Sequence, residues 1–312
     1  MSAPAPTDRR QTVVVVHWNQ PDACAATIDA FRAQALPAGT SAWRFLVVDN
    51  ASRPELRARL AEVIAAPDVE IVANPTNSGF SGGANAGLRR WLAEGEGEAE
   101  TASDWVLLCP HDVSMQPDCA ARLVDAAAAE PMAGLACADV GDGHVPYIDP
   151  YFGGITMPLV VADGSPEVEW HPADYPHGTL MALRRACLRE IGLFDESYFA
   201  YCEEADLALR ARRAGWTCGL VRGARVQNVN LGSSVALVDY LQQRNTLRLV
   251  RAMSGRYHAA IRTVISLGQI THGVVRPERA PLVFDARARL YGIRDFLLGR
   301  SGPPPAEVSS RR

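Results

Sequence analysis

The sequence predicts an α/β fold: a mostly parallel, Rossmann-like sheet with helices on both faces, followed by C-terminal helices. Three observations predict it. β-branched runs such as "TVVVVHWN" alternate with amphipathic helical stretches through the first half of the chain. These runs are apolar throughout, as in parallel strands covered from both sides. Polar residues gather where four successive strands end.

The elements follow in order. The strand 12–19 leads into "QPDACAATIDAFRAQAL", a helix opened by Pro and Asp. "WRFLVVDNAS" (43–52) is a second strand that breaks at Asp49-Asn50, and "RPELRARLAEVIA" is its helix. "VEIVANPTNSGFSGGANAGLRRWLAEG" reads as strand, Gly- and Asn-rich loop, then helix. "DWVLLCPHDVSMQPDCAARLVDAAAAE" reads as strand, polar turn and helix. Residues 138–176, rich in Gly, Pro, Asp and Tyr, form a loop-rich insertion. "GTLMALRR" then resumes a strand, "ACLREIGLF" a helix and "TCGLVRGARVQNVN" a final strand pair. From 235 the chain is helical in three stretches: "ALVDYLQQRNTLRLVRAM", "YHAAIRTVISLGQITHGVV" and "RARLYGIRDFLLGR". The division is thus a disordered tail (1–11), a main domain (12–234) with halves 12–135 and 136–234, a helical region (235–300) and a disordered tail (301–312). There is no internal repeat.

Composition excludes several chemistries. A net charge of -4 gives no support for nucleic-acid binding. All 31 basic residues are arginine, which removes Schiff-base and P-loop chemistry, since both need lysine. The seven cysteines lack CxxC spacing, so free thiols in a reducing compartment are expected, with neither disulfides nor a zinc site. "MSAPAPTDRRQ" has no apolar core for a signal peptide, and no run reaches the roughly 18 apolar residues of a membrane span. A cytoplasmic protein is expected. The apolar stretch 257–275, with arginine and histidine at intervals, suits packing against the main domain; peripheral contact with a membrane is the alternative.

In an open parallel sheet, ligands bind beyond the carboxyl ends of the strands. Here those ends carry His17-Trp18-Asn19, Asp49-Asn50, the loop 77–85 and His111-Asp112. Any one of these is also what a turn selects, but four in succession point to a site. "NSGFSGGANAG" is not a dinucleotide fingerprint, because GxGxxG is missing from the first strand, yet its small residues allow close approach to a ligand. Further on, "YFAYCEEADLALRARRAGW" places Glu203, Glu204 and Asp206 at a helix start. Acids there complement the helix dipole, so the stretch is explained either by capping or by chemistry.

The ordered series "VVDNAS", "NPTNSGFSGGANAGL", "PHDVSMQPD", "GTLMALRRACLREIGLFDESYFAYCEEADLALRARRAGW" and "YLQQRN" resembles the family 2 glycosyltransferases of GT-A fold, closest to bacterial rhamnosyltransferase-like members. The resemblance runs from about residue 12 to 300. It implies an inverting glycosyltransferase that moves a sugar from a nucleotide-sugar, dTDP-rhamnose or a UDP-sugar, to a hydroxyl of a saccharide, lipid-linked glycan or secondary metabolite. The half 12–135 would then bind nucleotide, and the half 136–234 would hold acceptor and catalytic acids. The resemblance implies donor contacts from Asp49, Asn77, Gly79 and Asn85, and the polar strand ends add Asn19, Asn50 and His111 as candidate donor contacts. It implies a weakly held, donor-assisted Mg2+ or Mn2+ at Asp112, where the family's metal motif ends.

The chain departs from that family in two places. Glu203-Glu204-Ala205-Asp206 stands where Glu-Asp-x-Asp is usual, which puts Glu204 at the base position with a longer side chain. Asn228 stands where a metal-assisting His is common. These changes leave a non-catalytic nucleotide-sugar-binding relative as an alternative. A sugar nucleotidyltransferase is a second, opposed by the missing lysine. Beside Asp112, His111 is either a phosphate contact or a turn residue.

Overall fold

The computed structural model describes residues 9–94, 102–160, 168–228 and 233–309. In chain order the first elements are β1 (Arg10–His17), α1 (Pro21–Arg32), β2 (Ala42–Asp49), α2 (Pro54–Val63), β3 (Val69–Ala73), α3 (Gly79–Glu94) and β4 (Ala102–Pro110). β5 (Val113–Met115), α4 (Cys119–Ala129), β6 (Ala133–Asp139), β7 (His144–Asp149), β8 (Gly153–Pro158), β9 (Glu169–Pro172) and β10 (Met181–Arg184) follow. The remainder is α5 (Arg185–Ile191), α6 (Glu203–Arg213), β11 (Thr217–Asn228), α7 (Val235–Val275), α8 (Ala286–Leu297) and α9 (Ala306–Ser309).

The main sheet runs β3-β2-β1-β4-β10-β6-β11-β5, with β9 also paired to β11. β1 to β4 are mutually parallel, as are β6 and β11; β10 is antiparallel to both its neighbours. The chain builds outward from β1 to β3 and then crosses to β4 on the other side of β1. That reversal opens a crevice at the strand ends. Alternation along β1 explains its unbroken valines. Val13 and Val15 enter a core with Phe31, Trp43 and Leu123 on one face, while Val14 and Val16 enter a second core with Leu88 and Trp91 on the other.

The structure corrects several boundaries. β1 starts at Arg10, inside the expected tail, because Arg10 and Gln11 already pair with Ala42 and Trp43. Residues 1–8 lie outside the described segments. The expected strand pair at 217–230 is one strand, β11, whose register shifts between Val221 and Arg225, where Gly223 takes φ +86°; residues 229 and 230 lie outside the described segments. The first two expected C-terminal helices join in α7, broken only at Gly255, where φ is +82°.

The tail 301–312 is not structureless through its described part. α9 buries Val308 completely against Ala236, Tyr240, Leu241 and Ala288, and that apolar contact holds it; residues 310–312 lie outside the described segments. No helix among the described residues is long and apolar enough to cross a membrane. The described cysteines are all free, and five of them are buried.

Candidate functional site

The carboxyl ends of β1 and β4 and the loops after β2 and β3 open into a cleft of about 1820 Å3, which is also lined by the start of α6 and by α7. Asn50 organises its N-terminal side. Its amide nitrogen donates to Asn77 Oδ1 (3.1 Å) and to the Gly79 carbonyl (2.8 Å). Its Oδ1 accepts from Asn74, from the Ser78 backbone and from the Ser78 hydroxyl. Gly79 takes φ +72°, and a Cβ there would collide with the Phe199 carbonyl, so only glycine fits. Asn50, Asn77, Gly79, His111 and Asp112 all line the cleft.

The other expected donor contacts stand behind this wall. Asp49 is completely buried, accepting from Arg57 Nε at 2.6 Å and from Ser52 N at 3.2 Å. Burial works to raise its pKa, but the Ser52 and Arg57 hydrogen bonds outweigh it and keep the carboxylate charged. Its side chain is thus committed to holding the strand end. Asn19, at φ +57°, accepts from Arg53 N and so ties β1 to the start of α2. Asn85 exchanges two hydrogen bonds with the Phe194 backbone and donates to Glu196, locking α3 to the segment before α6. These three residues shape the cleft without lining it.

Two histidines close the bottom of this end. His17 is completely buried, its Nε2 accepting from Gln20 N at 3.1 Å and its Nδ1 facing Asp49 and Ser52 at 3.4 Å. Burial and the neighbouring His111 lower its pKa to about 4, so the ring is neutral. His111 Nδ1 lies 3.1 Å from the Val16 carbonyl, which can only accept, so that nitrogen carries the proton. Burial lowers the His111 pKa too, leaving a buried, unpartnered Nε2 as a bare acceptor. Such a nitrogen suits a hydroxyl, an amide N–H or a metal ion. It does not suit a phosphate oxygen, one of the two alternatives that the sequence left open for His111.

Glu203 and Glu204 both line the cleft, although adjacent residues on a helix ordinarily face different ways. The left-handed turn at Cys202 (φ +71°) opens α6 at the cleft wall, where both side chains fit. Burial and then the charge of Glu204 push Glu203 well above the usual carboxylate range, so it is a neutral acid with an unpartnered Oε2. Burial raises Glu204 to about 7. Gly178 makes room for Glu204 Oε1, since a Cβ there would overlap it. Asp206 turns away and pairs with Arg210 at 2.9 Å.

Residues that sequence reasoning left without a role hold these acids in place. Asn245, on α7, donates its amide to the carbonyls of Tyr198 (2.9 Å), Ala200 (2.7 Å) and Tyr201 (2.9 Å). Arg244 adds a bond to Tyr198 and another to Asn245 Oδ1. The clamped loop contains Phe199, Tyr201 and Cys202, all with φ near +70°, a conformation that L-residues adopt only under constraint. A signal existed in "YLQQRN": asparagine is a poor residue for a helix interior, so one buried there points to a side-chain task.

Among the described residues no three His, Cys, Asp or Glu side chains cluster as a metal site. Asp112 and Asn228 line the cleft, and Asn228 is the register partner of Val113, next to Asp112. One carboxylate, one amide and the orphaned His111 Nε2 fit a hard divalent ion that draws its remaining ligands from a bound anion.

The model of the glycosyl transferase family 2 matches residues 12–192. An N-acetylglucosaminyl-diphospho-decaprenol L-rhamnosyltransferase of Mycobacterium tuberculosis is 28% identical over 183 residues, 51% of this chain and 58% of that protein. A low-salt glycan biosynthesis hexosyltransferase of Haloferax volcanii is 27% identical over 60% of this chain and 55% of its own length. The chain therefore spans little more than half of each relative. Among solved structures, GalNAc-T7 with UDP, GalNAc and Mn2+ superposes with a TM-score of 0.62 at 15% identity, covering 92% of this chain and 54% of that one. A mannosyltransferase of Pyrobaculum calidifontis with GDP-Man and Mn2+ gives 0.57 at 15% identity, covering 95% and 90%. The fold is GT-A. With its family model matched over more than half its length, the chain belongs to glycosyl transferase family 2.

Proposed function

We propose that this protein is an inverting glycosyltransferase that transfers a sugar from a nucleotide-sugar to an acceptor hydroxyl. The observation that carries the reading is Glu204, a carboxylate poised near pH 7 on the wall of a cleft whose other wall is the Asn50-ordered loop and Asp112. In this reading the nucleotide lies along the Asn50, Asn77 and Gly79 wall. Its diphosphate faces Asp112 and Asn228, which with His111 would hold Mg2+ or Mn2+. When bound, that ion neutralises charge on the departing diphosphate.

Glu204 takes the proton of the acceptor hydroxyl as its oxygen attacks the anomeric carbon. The bond from that carbon to the diphosphate breaks, and the nucleoside diphosphate leaves with the electron pair. Attack opposite the leaving group inverts the carbon. Neutral Glu203 keeps a second negative charge away from the base. The names of the relatives support transfer of rhamnose or another hexose to a glycan acceptor, and the Mn2+ complexes among the structural neighbours support the metal.

The test is a thermal-shift panel of UDP-, dTDP- and GDP-sugars, each with and without Mg2+ or Mn2+. One donor is expected to raise the melting temperature in a metal-dependent way, by mass action on the folded state. A flat response to every donor, with no turnover on any sugar acceptor, overturns the reading.

A further inference from the structure

Arg262 lies on the second limb of α7 and lines the cleft. Its Nη1 donates to Gln269 Oε1 at 3.2 Å, one heptad further along the same helix face, and its guanidinium sits 5.9 Å from the centre of the Phe152 ring. Its Nε is buried with no partner. Among the described residues no carboxylate comes within ion-pair distance of it; Asp239, another cleft residue, is taken by Arg289 at 2.7 Å. Burial and the Arg289 charge act against its protonated form. The more deeply buried arginines are satisfied otherwise: Arg244 by Tyr240, Tyr198 and Asn245, and Arg185 by Trp91 and Ser103.

A half-buried cation without a counter-ion is costly unless something arrives to pair it. Its location says what. The Arg262 guanidinium sits over Phe152, whose neighbour Gly153 packs against the Thr246 side chain, and the Thr246 hydroxyl lies 3.8 Å from the Sγ of Cys202, which immediately precedes Glu203 and Glu204. Arg262 therefore belongs to the base's end of the cleft. An anion bound there would belong to the molecule whose hydroxyl meets Glu204. The guanidinium fork matches phosphate oxygens, and no lysine competes for that role.

We propose that Arg262, supported by Gln269, is a phosphoryl-binding subsite, and that the acceptor is a sugar carried on a phosphate or diphosphate. The acceptor's identity rests on the glycosyl-transfer reading above; the anion site does not.

The experiment titrates inorganic pyrophosphate into the protein by calorimetry, with the donor pocket first saturated by the nucleoside diphosphate of the donor that the thermal-shift panel identifies. Wild type is expected to bind pyrophosphate, Arg262→Gln to lose at least about tenfold in affinity, and Arg262→Lys to retain more of it than Gln does. Citronellyl diphosphate is the second probe. Tighter binding than pyrophosphate assigns the phosphate to a lipid carrier, and equal binding assigns it to a soluble phosphorylated sugar. The proposal is overturned if Arg262→Gln binds pyrophosphate as wild type does, or if it weakens the nucleoside diphosphate equally, which would place Arg262 in the donor site. If no nucleoside diphosphate binds, the titration is run on the free protein; loss of pyrophosphate binding in Arg262→Gln then sustains the anion site while the glycosyl-transfer reading fails.

Discussion

The side-chain amide of Asn245 donates to the carbonyl of Tyr201 at 2.9 Å, two residues before Glu203. The same nitrogen also reaches the carbonyls of Tyr198 and Ala200, so one helix residue fixes a loop in which three non-glycine residues have positive φ. The C-terminal helices thereby take part in the site, since without this clamp the loop would relax and carry the acids with it.

Asn245→Ala should therefore lower kcat by about 10–100-fold while nucleotide affinity stays unchanged, because misplacing the base by an ångström costs that much. Asn245→Asp should lose as much, since a carboxylate cannot donate to three carbonyls. Kinetics with KM and kcat separated, run below the melting transition, check this. A fall in melting temperature with kcat intact would reduce Asn245 to a structural residue.

Activity should rise with pH up to about 7 and then level, because Glu204 accepts a proton only once ionised. Glu204→Gln should lose about 10²–10⁴-fold in kcat with donor affinity kept. Glu203→Gln should retain most activity and the same rising limb, since it exchanges a neutral acid for a neutral amide. A dead Glu203→Gln beside an active Glu204→Gln would reverse the two roles.

Asp112→Ala should abolish metal-dependent donor binding and leave the melting temperature of the free protein within a few degrees of wild type. Among the described residues lining the cleft, Asp112 is the carboxylate that adjoins Val113, the register partner of Asn228. Calorimetry of the nucleotide-sugar with and without Mg2+ reads the difference. Equal binding in the presence of Mg2+ would make Asp112 a turn residue.

The pH dependence of stability should carry the mark of His17. Its folded pKa of about 4 lies below the ordinary histidine value of 6.5, so the unfolded chain takes up a proton that the folded one refuses. The stabilisation is complete above 6.5 and is lost as pH falls towards 4, by roughly 3 kcal/mol in all. Glu204 works the other way: its folded pKa is raised from 4.5 to about 7, so its contribution is lost as pH rises through that window. Urea melts of wild type against His17→Gln across pH 4–6.5 isolate the histidine. Parallel curves would show that His17 titrates normally.

The sequence by itself determined the fold class, the alternation of the first strands and helices, and the polar strand ends that line the cleft. Those properties are local: valines alternating into two cores, Asn50 at a strand end, Gly79 at a positive φ, and three acids at a helix start all leave periodic or positional traces. The lines drawn around the tails failed because Gln11 and Val308 are held by distant partners, Trp105 for one and Tyr240 for the other. Only the tertiary structure decided the electrostatics. Asp49 was paired off with Arg57 from the following helix, while Glu203 and Glu204 were left together and desolvated. A side chain's burial and its counter-charge depend on what α7 and the Gly178 segment bring across the cleft, and sequence spacing carries no record of contacts between residues so far apart in the chain.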